Sequence, residues 1–174
     1  MSAADPVPEP ALDAIWAMLA AIPDPEIPVI SIVELGIVRN VAREDDEVVV
    51  TVTPTYSGCP ATVMIATDIR RALTEAGVRN CRIRTQLSPA WTTDWIGSEA
   101  RARLRAYGIV PPGERAAKHR IDITGLRKRE VVTVACPRCG STRTQELSRF
   151  GSTPCKAQYR CNECREPFDY FKPH

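Results

Sequence analysis

Four cysteines in the last forty or so residues are spaced to hold one metal ion. Cys136-Pro137-Arg138-Cys139-Gly140 and Cys161-Asn162-Glu163-Cys164 are two pairs of thiols, each pair separated by two residues. That separation lets both sulfurs of a pair reach one ion from a tight turn. Two such pairs complete a tetrahedral sulfur shell, the arrangement zinc takes. Gly140 can adopt the positive φ that closes the first turn. The stretch between the pairs leaves room for a hairpin, so a zinc ribbon is expected. A closed four-cysteine shell has no open position for chemistry, which points to structural zinc. Redox iron or an iron–sulfur cluster would be satisfied by the same four thiolates.

A second kind of thiol chemistry is suggested by Thr55-Tyr56-Ser57-Gly58-Cys59-Pro60. Pro60 is suited to the first position of a helix, which sets Cys59 at or next to its N-cap. Unpaired backbone N–H groups and the positive end of the helix dipole would stabilise a thiolate there. Such a thiolate can bind iron or zinc or act as a nucleophile. The competing reading is a small apolar side chain packed at a helix start. Asp24-Pro25-Glu26 offers two carboxylates; it reads equally as an ordinary turn. Were Asp24 and Glu26 to meet Cys59 at one end of a small sheet, the three would form a transient metal or cluster site. Cys155, beside Lys156, is either a packed core thiol or a reactive or alternative ligand thiol. Cys81 shares a strand face with Ile83 and reads as core. His119 and His174 read as solvated.

These residues need elements to position them. Leu12, Ile15, Trp16 and Leu19 recur at helical spacing over 11–21, and Pro23 and Pro25 stop that helix. Strands are expected at 37–41 and 47–53, with the acidic run Glu44-Asp45-Asp46 turning between them. A second helix runs from Pro60 to about Ala76, with Ile65, Ile69 and Leu73 on one face and Gly77 as its cap. Residues 79–87 form a third strand. The order helix, strand, strand, helix, strand predicts a small two-layer α/β domain, and the whole chain reads as α+β with a C-terminal zinc ribbon. A short helix at 98–107 ends at Gly108, and Pro111-Pro112-Gly113 marks a linker. The basic run Arg127-Lys128-Arg129 reads as a solvated face, and a strand over 131–134 leads into the cysteines. The expected division is a flexible arm at 1–10, the α/β domain at 11–90, a helical connector and linker at 91–130, and the ribbon at 131–174. Trp91 and Trp95 read as packing or partner-surface residues rather than a stacking platform.

The chain has 174 residues, enough for one modest core and a small appendage. A net charge of +2 is too small to argue for nucleic acid or an anionic membrane. No stretch is long and apolar enough for a membrane span, and the proline-rich start lacks the pattern of a secretory signal, so a cytoplasmic location is expected. Seven cysteines in a reducing compartment read as metal ligands or reactive thiols rather than a disulfide framework. No catalytic dyad or triad, phosphate-binding glycine loop or di-iron carboxylate–histidine pattern is present. The chain is not expected to turn over substrate alone.

Taken together the motifs carry a family resemblance. Residues 10–90, with Asp24-Pro25-Glu26, Val33-Glu34-Leu35-Gly36-Ile37-Val38 and Thr53-Pro54-Thr55-Tyr56-Ser57-Gly58-Cys59-Pro60, resemble the metal–sulfur cluster assembly domain of the SufT type. The remainder resembles the D-subunit family of bacterial phenylacetyl-CoA epoxidases (PaaD, also PaaJ). The segments that carry this are Pro89-Ala90-Trp91-Thr92-Thr93-Asp94-Trp95-Ile96, Tyr107-Gly108-Ile109-Val110-Pro111-Pro112-Gly113, Phe150-Gly151-Ser152-Thr153-Pro154-Cys155-Lys156-Ala157, and the tail from Cys161 to Lys172. The family pattern ends Phe-Lys-Cys-His, whereas this chain has Phe171-Lys172-Pro173-His174. A ligand role at that position, or a disulfide from it to Cys155, is therefore not available here.

The resemblance implies a role in aerobic phenylacetate degradation, beside a di-iron oxygenase and a reductase that carries flavin and an iron–sulfur cluster. It implies an accessory, non-catalytic subunit that helps install the reductase's cluster or the oxygenase's iron. Cys59 would hold or pass iron or a cluster, Asp24 and Glu26 would shape that site, and zinc on Cys136, Cys139, Cys161 and Cys164 would build a docking ribbon. The implied partners are the oxygenase and reductase subunits, the iron–sulfur assembly machinery and a second copy of the chain. Two other readings stand beside it. One is a structural adaptor of the oxygenase with no metal transfer. The other is a zinc-ribbon nucleic-acid binder, against which the weak net charge argues.

Overall fold

A computed structural model of the chain describes residues 9–111, 113 and 134–173. Several expectations lie outside the described residues: most of the N-terminal arm, His119, the basic run Arg127-Lys128-Arg129, residues 131–133 of the expected strand, Pro112 of the linker, and His174. The chain divides into two compact units, Met1–Ala100 and Arg101–His174.

In the first unit the expected element order is met. Helix α1 spans Leu12–Ala20 and buries Ile15 and Leu19. Strands β1 (Val38–Glu44) and β2 (Glu47–Val52) form an antiparallel hairpin whose turn is Asp45-Asp46. Asp45 takes φ +53°, a conformation that aspartate tolerates better than most residues. Helix α2 (Ala61–Glu75) leads to β3 (Cys81–Thr85), which pairs parallel with β2, so the sheet order is β1-β2-β3. A parallel partner requires a crossover, and α2 supplies it. The C-terminus of α2 closes as the sequence anticipates. Gly77 takes φ +85°, its N–H bonds to Thr74 O, and Val78 N–H bonds back to Leu73 O. This double bond pattern satisfies carbonyls that would otherwise be unpaired.

Two features of the first unit follow from the sheet order. Val48, Val49, Val50, Thr51 and Val52 of β2 are all buried. As the central strand, β2 is covered on both sides, so its valines read as a continuous run. Cys81 is half-buried rather than core, because β3 pairs with β2 alone and lies at the sheet edge.

The stretch between α1 and β1 contributes more to the core than a turn would. Ile27, Ile30, Ile32, Leu35 and Ile37 are all buried there. Its backbone is held by Asp24 N–H to Ile30 O (2.9 Å) and Ile32 N–H to Ile22 O (3.0 Å). Ser31 and Glu34 cap each other reciprocally at 2.9 and 3.1 Å, as in a capping box. Residues 89–96 hold this stretch in place. Trp91 is buried and donates its indole N–H to Leu35 O at 2.9 Å. The Arg39 guanidinium lies 3.6 Å from the centre of the Trp95 ring, a cation–π contact. Gly36 (φ +76°) faces Trp95 so closely that a Cβ there would sit 2.9 Å from the Trp95 Cβ. Both tryptophans are thus packing residues.

Helix α3 occupies Ser98–Tyr107 as expected. In the second unit Ile109–Val110 is not part of a linker but a short strand, β4. It pairs parallel with β7 (Pro167–Phe171) in a four-stranded sheet of order β4-β7-β6-β5. Strands β5 (Thr144–Ser148) and β6 (Lys156–Cys161) complete it. A two-residue strand carries no period to read, so only its partner reveals it. The core of this unit gathers Val110, Val134, Cys136, Ala157, Tyr159, Cys161, Phe168 and Tyr170. The Tyr159 ring lies 5.8 Å from Phe168 and 5.7 Å from Tyr170, stacked on one and edge-on to the other.

Candidate metal and thiol sites

The four tail cysteines converge. The Sγ atoms of Cys136, Cys139, Cys161 and Cys164 all lie within 4.8 Å of one another. Cys136 Sγ is 3.7 Å from Cys164 Sγ, and Cys139 Sγ is 3.5 Å from Cys161 Sγ. Four sulfurs bonded tetrahedrally to zinc at about 2.3 Å stand roughly 3.8 Å apart, so the donor set fits that ion. Each pair is held in a knuckle. In the first, Gly140 N–H bonds to Cys136 O and Cys136 N–H to Ser141 O, both at 2.9 Å. Gly140 takes φ +74°, as the sequence predicts. The second is closed by Cys161 N–H to Glu166 O at 3.0 Å, with Arg165 at φ +63°. The two knuckles thus use the same left-handed position, filled by glycine in one and arginine in the other. Asn162 N–H to Arg143 O (2.8 Å) ties the second knuckle to the start of β5.

The electrostatics suit a cation. Burial pushes the Cys161 thiol up, but the N–H groups of Cys164 and Glu163 and the neighbouring thiols outweigh it, bringing Cys161 down to about 7. Cys164 accepts from Glu166 N–H, which favours its thiolate, yet burial and the other three sulfurs push it up to about 12. Crowding of the four sulfurs opposes full ionisation, and a positive ion among them would relieve that repulsion. Zinc supplies that charge and cross-links the two knuckles; its shell is complete, so it is structural. Cys136 and Cys161 are buried while Cys139 and Cys164 are exposed.

Cys155 lies apart from this cluster. It is buried at 3 % exposure, and its Sγ is 3.0 Å from Thr153 Oγ1. Lys156 is engaged elsewhere: although only 4 % exposed, it pairs with Asp169 Oδ2 at 3.3 Å. Gly151 packs against that pair, since a Cβ there would meet Asp169 Oδ1 at 3.2 Å.

In the first unit Cys59 is half-buried and precedes Pro60, the residue before α2. The Ala61 N–H and the hydroxyls of Thr55 and Thr62 act on its sulfur in the direction that favours the thiolate. A thiolate is nevertheless not favoured, contrary to the reading from the helix start. Burial raises the thiol, the helix N–H and the two hydroxyls offset this only in part, and the Glu26 carboxylate pushes it further up. Cys59 is therefore a protonated thiol at neutral pH.

The two carboxylates play different parts. Asp24 is buried, and its Oδ1 accepts from the N–H groups of Glu26 and Ile27, both at 2.9 Å. That bond pair shapes the loop that carries Glu26. Glu26 is the carboxylate whose charge acts on Cys59. Among the described residues, the four tail cysteines are the one group of three or more His, Cys, Asp or Glu side chains placed to hold an ion. Asp24, Glu26 and Cys59 do not close such a set. Thr55 and Thr62 escape the sequence reading. The signal that could have found Thr62 is its spacing, three residues after Cys59 across a helix start, where side chains commonly reach back to the preceding turn.

Comparison with known proteins places both units. Residues 122–172 match a family described as the PaaD zinc beta ribbon domain, and residues 12–81 match one described as iron-sulfur cluster assembly protein. Over 163 residues the chain is 50% identical to a protein of Escherichia coli (strain K12) assigned as the D-subunit of 1,2-phenylacetyl-CoA epoxidase, covering 94% of this chain and 93% of that one. Over 89 residues it is 37% identical to an Fe-S protein maturation auxiliary factor of Porphyromonas gingivalis (strain ATCC BAA-308 / W83), covering 50% of this chain and 84% of that protein. A similar factor of Bacillus subtilis (strain 168), YitW, is 32% identical over 92 residues, covering 52% of this chain and 89% of its own length.

Proposed function

The chain belongs to the D-subunit family of 1,2-phenylacetyl-CoA epoxidases, and from that premise we propose that it is an accessory maturation factor of such an epoxidase system rather than its catalytic part. The observation that carries this is the junction of two units in one chain. The first resembles Fe-S protein maturation auxiliary factors over most of their length, and it presents the half-buried thiol of Cys59 beside the Glu26 carboxylate. The second is the ribbon of the PaaD family. A factor that holds cargo only in passing must not enclose it, and Asp24, Glu26 and Cys59 leave a set that a client protein can complete.

In this reading iron or an iron–sulfur cluster is the cargo. Cys59 supplies the sulfur ligand and releases its proton to solvent as the cation arrives. Glu26 supplies a nearby oxygen and negative charge. Asp24 keeps Glu26 in place through its two backbone bonds. The zinc ribbon provides a rigid surface for an epoxidase component, the iron–sulfur flavin reductase or the oxygenase, in the cytoplasm.

The test is Cys59→Ala in cells that express the whole epoxidase system. Iron and acid-labile sulfide per reductase, and iron per oxygenase, are expected to fall at least severalfold while the variant keeps its helical circular dichroism and its zinc. Normal loading of both partners would refute the maturation reading. That outcome would favour the second reading, a structural adaptor, for which the protonated state of Cys59 speaks.

A further inference from the structure

The turn that joins β5 to β6 leaves a phenylalanine in solvent and holds it still. Phe150 is 65 % exposed, the most exposed aromatic ring among the described residues. Its backbone is fixed on both sides. Ser148 Oγ donates to Phe150 O at 2.8 Å and accepts from Phe150 N–H at 3.2 Å. Gly151 N–H bonds to Lys156 O at 2.8 Å, which closes the turn. The ring itself is held by Lys172, whose Nζ lies 4.4 Å from its centre and donates to Arg149 O at 3.2 Å. Leu147, three residues earlier, is also exposed. The register of β5 on β6 shifts between Glu146 and Ser148, so Leu147 is the extra residue of a bulge in an edge strand. Bulges at sheet edges re-aim side chains.

The charge at this end of the sheet is positive. The carboxylates nearby are engaged: Asp169 with Lys156, Glu146 with the Tyr159 hydroxyl and Glu163 with Arg143. Neither Arg149 nor Lys172 meets a carboxylate among the described residues. We propose that this turn is the docking tip of the ribbon. Phe150 is its anchor, Arg149 and Lys172 are its flanking cations, and it fits an apolar pocket rimmed by carboxylates on an epoxidase component. This rests on the reading that the ribbon docks such a component, and it names the face that does so. An aromatic ring already fixed in place loses little freedom on binding, and such rings in a partner's pocket carry most of an interface's strength. Cations at the rim steer the approach of an acidic surface. Two cations on a chain of net charge +2 are too few for a nucleic-acid track.

The experiment uses the zinc-loaded full-length chain against the purified iron–sulfur flavin reductase and the purified oxygenase of the same system, each immobilised in turn. At least one of them should bind. Phe150→Ala should weaken that binding by about tenfold or more, mostly through faster dissociation. Arg149→Glu should slow association severalfold at about 0.05 M salt, with the difference shrinking at about 0.5 M. Both substitutions are on the surface, so both variants should keep their zinc and their circular dichroism. Wild-type affinity in Phe150→Ala, an unchanged association rate in Arg149→Glu at low salt, or binding to neither component would overturn the proposal. So would tighter binding to a DNA or RNA duplex than to either protein. Failure of the maturation reading would show differently, as normal client loading by Cys59→Ala.

Discussion

Cys59 combines a burial that favours the neutral thiol with three donors that favour the charged one, and the burial prevails. Its reaction with iodoacetamide should accordingly be slow at pH 7.5 compared with an exposed cysteine and should climb as the pH passes 9. Replacing Glu26 with Gln removes a negative charge that opposes ionisation, so the rate at pH 8 should rise on the order of twofold. An unchanged rate would mean that the Glu26 carboxylate does not act on the sulfur. The sign for stability is the same. Folding holds this proton more tightly than the unfolded chain does, so the contribution of Cys59 is complete below the ordinary cysteine value, about 8.5, and is lost as the pH rises through the raised one. At this scale the sequence is informative about which residues matter and less so about their state. Cys59, Asp24 and Glu26 are visible in it. That Asp24 spends an oxygen on two backbone amides while Glu26 acts on the thiol depends on a turn geometry that no residue type announces.

Among the elements, the stretch between α1 and β1 decides where Glu26 stands, and its anchor is the approach of Gly36 to Trp95. Gly36→Ala should cost about 2 kcal/mol, because alanine strains at φ +76° and its Cβ meets the Trp95 Cβ at 2.9 Å. Chemical denaturation should show a lower midpoint with an unchanged slope; a wild-type midpoint would show that the two segments separate freely. The helices and the β1–β2 hairpin are legible because apolar periodicity and Gly77 mark them. The buried isoleucines of this stretch are not, since they follow neither a period of 3.6 nor of 2. Strand β4 escapes for a related reason: Ile109 and Val110 form a strand only because β7 lies beside them. The metal knuckles are the opposite case. Their spacing alone is enough, because two tight turns with one glycine leave the four sulfurs little choice of arrangement.

For the whole molecule, each unit has its own core, and the second draws its stability from an ion as well as from apolar burial. Structural zinc contributes on the order of 10 kcal/mol to small domains near neutral pH. Chelation at pH 7.5, with exposed Cys139 and Cys164 offering the way in, should abolish hydrogen-exchange protection in β5, β6 and β7 while β1–β3 keep theirs. Equal loss in both units would mean that the first depends on the second to stay folded. Strand β4 has a practical bearing on how the protein can be divided. The ribbon match begins at residue 122, after β4. A fragment cut there would strip β7 of its parallel neighbour and leave the backbone of Asp169 and Tyr170 open to other chains. An uncovered sheet edge recruits strands from elsewhere. A fragment starting at Arg101 would retain that guard strand, and with it the solubility that the shorter piece would forfeit.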